Sequence, residues 1–560
     1  MIVPIERLEF FEELFKRAML YRESTYEKME RWYDQYRGDA FCDGGKDALV
    51  VRNITYELIE SQVSTEIPDP EVTPSRWSEK REANAHRAEL ILRAMRKKLP
   101  FDEMNDMDER YTYIFGGSVF LVEWDDDYSL GRERGRISVT NINPQRFVGQ
   151  PGVSSIDKME YCFIVYSSSV SEIRRKWKSD FSPCIQDDTV EVKVCFYKNE
   201  DGRVSLYVFS DGEEIAHYDD YYSRKRRVCK SCGLGAFHCT CERPSLVSVS
   251  SHIEELTKDV VLSDGEIIPK GKKLPRYIPS HFPIVIRKNT SLDGCLLGQS
   301  DCEFIKYQQE EINKVLSRVH EKLIMSGVYP FKPDDCRFQF DNSVGGKVLN
   351  LSPADSPSSF GVIDTTPDIS RDLEYISRTY DDAKRILGIS DTYQGINDET
   401  AISGKAKEIQ INQAAGRLES KRIMKNSAYA SIDRLVFEFM LAFADEPRCV
   451  SYKDAFGRVH NEAFSRYDFL EYDSEIGEYY YDDDYIFSSV SDGEVSRADA
   501  WARNLENYKA GVFGNTDSDI TLLRYWQAQE RAHYPGAKEN VAYFLSKTEN
   551  EKNKGEGEAI

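Results

Sequence analysis

The 560-residue chain lacks any run of about 18 apolar residues, so nothing in it predicts a bilayer-crossing helix. Its first residues, Met1-Ile2-Val3-Pro4-Ile5-Glu6-Arg7, lack the basic leader and long apolar stretch of a secretory signal. Without such a leader, and with eight of its 12 cysteines scattered, the chain does not read as a disulfide framework. The scattered cysteines read as reduced, intracellular thiols. Histidine is scarce, at 8. There is no Gly-x-x-x-x-Gly-Lys-Ser/Thr loop, no Gly-x-Ser-x-Gly elbow and no His-Glu-x-x-His pair. An ATP motor built on that loop and the hydrolases built on the other two motifs are therefore excluded. Basic charge is also short. Lys plus Arg is 74 against 96 Asp plus Glu, a formal net charge of −22. A protein that grips nucleic acid over most of its surface is normally basic, so that class is disfavoured. A chain that touches DNA through a small basic part, or lets it pass unheld, fits the balance.

What the chain has is apolar and aromatic surface. Hydrophobic residues are 40% and aromatics 12%, too much for general disorder. The length suggests roughly three to four domains. Helical patterns run from Pro4 to about Arg37, Val51 to Val63, Ser78 to Leu99 and Met104 to Phe115. The prolines at 68, 70 and 74 force an extended segment between the second and third of these. From Ser118 to about Ile286, β-branched and aromatic runs at 119–124, 136–140, 161–166, 191–197 and 205–209 predict strands.

Ser300-Asp301-Cys302-Glu303 has the form of a capping box opening a helix with Ile305, Ile312, Leu316, Val319 and Leu323 on one face. A proline-rich insert at 328–367 follows. Ile369, Leu373, Ile376, Tyr380, Ala383 and Leu387 then form a heptad seam that Gly388 ends. After a polar loop at 390–402, Ser403 to about Ala444 reads as one helix, roughly 60 Å long. Strands return over 448–490, with a hairpin turning near 475–478, and helices over 495–545. Residues 546–560 are polar and predicted disordered.

The strongest chemical signal is Cys229-Lys230-Ser231-Cys232 followed by His238-Cys239-Thr240-Cys241. Two cysteine pairs, six residues apart, suit a tetrahedral zinc thiolate site of Cys229, Cys232, Cys239 and Cys241, with His238 as an alternative fourth ligand. Four filled positions leave none for catalysis. The site reads either as a staple for an insert without its own core or as a knuckle that contacts nucleic acid. Lys314, Arg318 and Lys322, four apart, form a basic stripe on a helix. That stripe either faces phosphate or is a solvated face paired with Glu310, Glu311 and Glu321. The cations of the long helix, Lys405, Lys407, Arg417, Lys421, Arg422 and Lys425, read as a solvated run. The acidic, tyrosine-rich hairpin at 471–485 lacks calcium-loop spacing and reads as a solvated or subunit-facing hairpin. No catalytic constellation emerges, so a non-enzymatic role is expected.

Four stretches carry a family resemblance: 51–63 with the Ile-Pro-x-Pro-x-Val-Thr-Pro of 67–74; 282–290 leading to Gly298-Gln299-Ser300-Asp301; Ile386-Leu387-Gly388-Ile389-Ser390-Asp391; and 403–422. With the element order, they resemble the portal proteins of long-tailed, siphovirus-like bacteriophages. The resemblance covers most of residues 50–445. It implies an α+β portal fold with a β-rich wing, a two-helix stem, a small α/β clip, a long wing-spanning helix and a helical crown. By residue, it implies a wing at 1–297 that carries the zinc-type insert at about 224–245. Stem helices follow at 298–327 and 368–389, flanking a clip at 328–367. It further implies a tunnel loop at 390–402, the long wing helix at 403–446, more wing at 447–494 and a crown at 495–545. It implies a homo-oligomeric ring, usually of twelve subunits, at one capsid vertex, through which double-stranded DNA is packaged and ejected. Its implied partners are the terminase large subunit, a head-completion adaptor, and the major capsid and scaffolding proteins, with no membrane. Gln394, Asn397 and Asp398 of the loop, with Lys314, Arg318 and Lys322, are then the DNA-facing candidates, and the heptad seam is expected to pack stem against neighbouring stem. The zinc insert is not a general feature of that family and sits in the implied wing. A zinc-containing nucleic-acid-binding regulator is the alternative reading.

Overall fold

A computed structural model describes residues 6–39, 50–130, 133–177, 179–182, 189–210, 212–222, 226–229, 246–249, 253–256, 259–262, 265–326, 328–331, 361–364, 367–389, 404–444, 446–453, 459–475, 477–490, 497–515, 518–531, 534, 536–537 and 539–547. Helices and strands are mixed. The helices are α1 (Arg7–Arg37), α2 (Ile54–Glu60), α3 (Glu79–Lys98), α4 (Phe101–Phe115), α5 (Val170–Trp177), α6 (Asp301–Met325), α7 (Ser370–Leu387), α8 (Gly404–Phe443), α9 (Arg497–Lys509) and α10 (Asp519–Arg531). The sequence pattern anticipates all of them except α5, whose eight residues are too few for a clear period. α2 is shorter than its pattern, stopping at Glu60 where the chain turns toward the prolines.

The central β element is a five-stranded antiparallel sheet of Phe147–Gly149, Tyr161–Ser169, Thr189–Lys198, Val204–Ser210 and Glu213–Tyr218, in chain order. Alternation along its strands feeds two cores. Val204, Leu206 and Val208 join the main core, while Tyr207 and Phe209 turn to the other face. The first half of α1 covers that other face, with Phe11 stacked on Tyr207 at 4.3 Å. Both faces are thus dry, and Val204–Ser210 is buried at every position. A three-stranded sheet sets Gly117–Leu130 between Ile284–Lys288 and Glu133–Ile142. The proline-rich Asp69–Pro74 is extended as expected and forms a strand, paired among the described residues only with Tyr485–Val490, as proline demands of a strand with a free edge.

α8 threads this body. From Ala428 to Phe443 it buries Tyr429, Ile432, Leu435, Val436, Phe437, Phe439, Met440 and Leu441. From Leu435 on, its residues are buried all round, so protein surrounds that end of the helix. Phe437 alone lies within ring contact of Phe464, Phe469, Tyr485 and Phe487.

α6 and α7 form an antiparallel pair, since Asp372 at the start of α7 meets Lys322 near the end of α6. Their shared seam is Ile305, Ile312, Val315 and Val319 against Ile376, Ala383 and Leu387, continued by Ile54 and Leu58 of α2. The heptad residues of α7 therefore pack within their own chain, which corrects the expectation that they pack against a neighbouring subunit. Only Leu373, 49% exposed, stands clear of that seam. The strands Val328–Phe331 and Gly361–Asp364 pair antiparallel at the end of α6, just ahead of α7.

Candidate functional site

Of the candidate metal ligands, Cys229 is the last residue of strand Arg226–Cys229, which pairs antiparallel with Leu246–Val249 so that Cys229 lies opposite Leu246. Cys232, His238, Cys239 and Cys241 lie outside the described residues, as do Gln394, Asn397 and Asp398 of the loop. Among the described residues no group of three or more His, Cys, Asp or Glu side chains is placed to hold a metal. Among them too, no helix is long and apolar enough to cross a membrane.

The basic stripe is described in full. Lys322 Nζ lies 2.6 Å from Asp372 Oδ2, and Arg318 Nη2 lies 3.7 Å from Asp372 Oδ1. Neither uses the glutamates of α6 that the sequence offered as partners. The pairing joins α6 to α7, and Lys314 stays exposed on the same face. Two of the stripe's three charges thus face Asp372 across the helix pair.

The root of that pair holds a buried polar network that the sequence pattern missed. Gly298, just ahead of α6, has φ +116, and Gly116 at the C-terminus of α4 has φ +83. The two backbones nearly touch: a Cβ on Gly116 would sit 2.6 Å from the Gly298 carbonyl oxygen. Ser300 Oγ accepts from Cys302 N at 3.0 Å and donates to the Ile114 carbonyl at 2.6 Å. The expected capping box is only half made. Glu303 instead accepts from Trp32 Nε1 of α1 at 2.7 Å. Asn289 Nδ2 donates to the Gln299 carbonyl and to Asp301 Oδ1, at 2.9 and 2.7 Å.

Around this crossing lie three cations and three carboxylates, all inside the protein. Arg287, at the end of strand Ile284–Lys288, bonds Asp108 and Glu109 of α4 through Nη1, the latter at 2.8 Å. Lys425 of α8 lies 3.0 Å from Glu109 Oε1 and donates to the Glu66 carbonyl at 2.6 Å. Lys421, one turn earlier, donates to Asp301 Oδ2 at 2.6 Å and to Gln62 Oε1 at 2.9 Å. Lys421 and Lys425 thus correct the reading of the long helix's cations as a solvated run.

The set is neutral and dry, so its charges must be matched by direct pairing. Burial pushes Glu109 upward, but Arg287 and then Lys425 outweigh it and hold its carboxyl at about 2. Burial wins at Asp108, which Arg287 faces with less help from Lys425, and pushes that carboxyl up. Each of these carboxylates is thus paired directly with a cation. Chemically, the arrangement is a joint, tying α8 and the body to the first residue of α6.

No family model matches this chain, and no curated relative does.

Proposed function

We propose that this chain is the subunit of a ring-shaped channel of the bacteriophage portal type, set at one capsid vertex and threaded by double-stranded DNA. The observation that carries the reading is the succession from α6 to α8. An antiparallel helix pair, with a strand pair between its helices, is followed by a 40-residue helix that returns into the β-rich body. Buried lysines then tie that helix to the root of the pair. In this reading α6 and α7 are the stem, 328–367 is the clip that meets the terminase large subunit and later the adaptor, and 390–402 reaches toward DNA. The subunits assemble with major capsid and scaffolding proteins and end in the virion. A net charge of −22 per subunit suits a channel that must let DNA slide. The chain catalyses nothing in this reading, and ATP chemistry belongs to the motor.

Native mass spectrometry with electron micrographs tests it. Rings of about twelve subunits with a central hole are expected, closed by one repeated heterologous contact. A stable dimer that holds DNA tightly at low salt would overturn the reading in favour of a zinc-dependent regulator. Deleting residues 393–399 should leave rings intact and bring packaged DNA down to background, because the segment is polar and expected to line the channel. Particles of the deletion that package normally would refute that assignment.

The cysteine cluster enters the proposal as a structural zinc site. Its donor set, four thiolates on a segment entered through a two-stranded ladder, suits an insert folded by metal rather than by its own core. The ion's contribution would be cross-linking only. Replacing Cys229 and Cys232 together by Ser should take zinc from about one per subunit to none, with rings preserved. Metal analysis and particle images of the same sample decide. Loss of rings along with zinc would move the insert into the assembly contact.

A further inference from the structure

Strand Glu213–Tyr218 is an edge of the five-stranded sheet, and His217 lies near its end. The start of α1 reaches it there. Arg7 Nη1 lies 2.9 Å from His217 Nδ1. A guanidinium has only donors, so Nδ1 must be the acceptor and the ring proton must sit on Nε2. Nε2 in turn lies 3.0 Å from the Tyr197 hydroxyl and 3.3 Å from Asp219 Oδ1, both able to accept. The imidazole is only 9% exposed, and Tyr207 meets it edge to face at 5.8 Å. The other charged groups nearby are Glu214 on the same strand and Glu12 of α1, which acts on Tyr207.

We propose that Arg7 and His217 form a pH-sensitive latch: the neutral imidazole pins the first turns of α1 to the sheet edge, and the protonated one lets them go. The chemistry follows from the donor count. Nε2 already carries a proton, so a second can only enter at Nδ1. That removes the acceptor and sets two cationic donors face to face. Burial, and then Arg7, hold the imidazole below its ordinary 6.5, against Asp219 and Glu214, which pull it up. A base whose folded value is depressed favours the folded contact above its ordinary range. That contribution is lost as pH falls through the lower, folded value. The release is local. Phe11, Phe15 and Ala18 keep the remainder of the first half of α1 on the sheet through apolar contact with Tyr161, Phe163 and Tyr207.

Hydrogen exchange on the full-length protein reads the latch at the amides of residues 10–15. His217→Gln is the informative variant. Its Oε1 can still accept from Arg7 and its amide can still donate to Tyr197, but it does not titrate. Comparing the two proteins at one pH cancels intrinsic exchange rates. From about pH 7.5 to about pH 5.5, protection in the wild type should fall about tenfold relative to the variant, equivalent to about 1.4 kcal/mol. A ratio that does not change with pH overturns the proposal.

Nitrogen resonances of histidine-labelled wild type give an answer even if the variant fails to fold. The Nε2–H tautomer is expected at neutral pH, and Arg7→Met should raise the ring's pKa by removing a neighbouring cation. An Nδ1–H tautomer, or a ring whose pKa ignores Arg7→Met, overturns the latch.

Discussion

Arg287→Met is expected to cost about 3–5 kcal/mol at neutral pH, because it leaves two carboxylates of α4 inside the protein with one cation between them. The mechanism is not lost attraction alone. Asp108 and Glu109 are both almost wholly excluded from solvent, at 0% and 1% exposure, so each charge must be matched or protonated. Lys425 still faces Glu109 in the variant. Asp108 loses its partner. The pH dependence should then shift away from Glu109 and toward Asp108. In the wild type Glu109 sits at about 2 instead of its ordinary 4.5, so its contribution is complete above 4.5 and is lost as pH falls toward 2. Burial already raises Asp108 in the wild type against the pull of Arg287, and without Arg287 its folded value rises further. The folded state then takes up a proton that the unfolded chain does not. The deficit should shrink as pH falls from about 7 to about 5. Denaturant midpoints of the two proteins at both pH values measure this. A deficit below about 1 kcal/mol, or one that does not change with pH, would mean that water or a shift of α8 relieves the charge. Arg287→Lys keeps the charge but cannot span both carboxylates from one flat group, so it should fall between the two.

That network shows what could and could not be seen in the sequence. Periodicity places α3, α6, α7 and the end of α4 almost to the residue, because each has a cap or a breaker there: Ser78, Ser300, Gly388 and Gly116 act where the pattern puts them. Partners are another matter. Lys421 and Lys425 lie four apart with Arg422 beside them, which is the spacing of any solvated helix face. Their burial follows from α8 crossing the α4–α6 junction, a contact between residues 120 and more positions apart. One local sign was available. In strand Ile284–Lys288, Arg287 falls in phase with Val285, so its side chain points to the face that the apolar residue buries. A charge on the inward phase of an apolar strand asks for an opposite charge. Nothing local says that Asp108 and Glu109 supply it.

The heptad seam was legible as a seam but not as to its partner. A repeat of apolar positions fixes which face of α7 is covered and leaves open whether the same chain or another covers it. The answer came from α6, whose own apolar face is the right length and runs antiparallel. For the channel reading, α6 and α7 therefore reach the assembly already paired. Contact between subunits then falls to their outward residues, including Tyr307 on α6 and Tyr375 on α7, 72% and 48% exposed. The stripe fits the same logic. Lys322 and Arg318 turn toward Asp372, and Lys314 is exposed beside them.

Gly298→Ala should be strongly damaging at the root of the helix pair, costing about 2–6 kcal/mol. Two effects add. At φ +116 the backbone lies where an L side chain is strained, about 1–3 kcal/mol. The new Cβ would also lie 2.6 Å from the Thr290 carbonyl oxygen and 2.9 Å from that of Gly116. Those are backbone atoms with no rotamer to yield, so the crossing must spread, at about 1–3 kcal/mol more. Gly294→Ala separates the terms. Gly294 has φ +73, but nothing lies within 4 Å of its added Cβ, so it carries the strain without the collision. It should cost about 1–2 kcal/mol. The difference between the variants therefore measures how closely α4 and the lead-in to α6 approach. The damage should also be local: spreading the crossing pulls Asp301 from Lys421 and Asn289, so exchange should accelerate first at the N-terminal amides of α6. Equal losses in the two variants would mean that the close approach of Gly116 and Gly298 is not what sets the start of the helix pair.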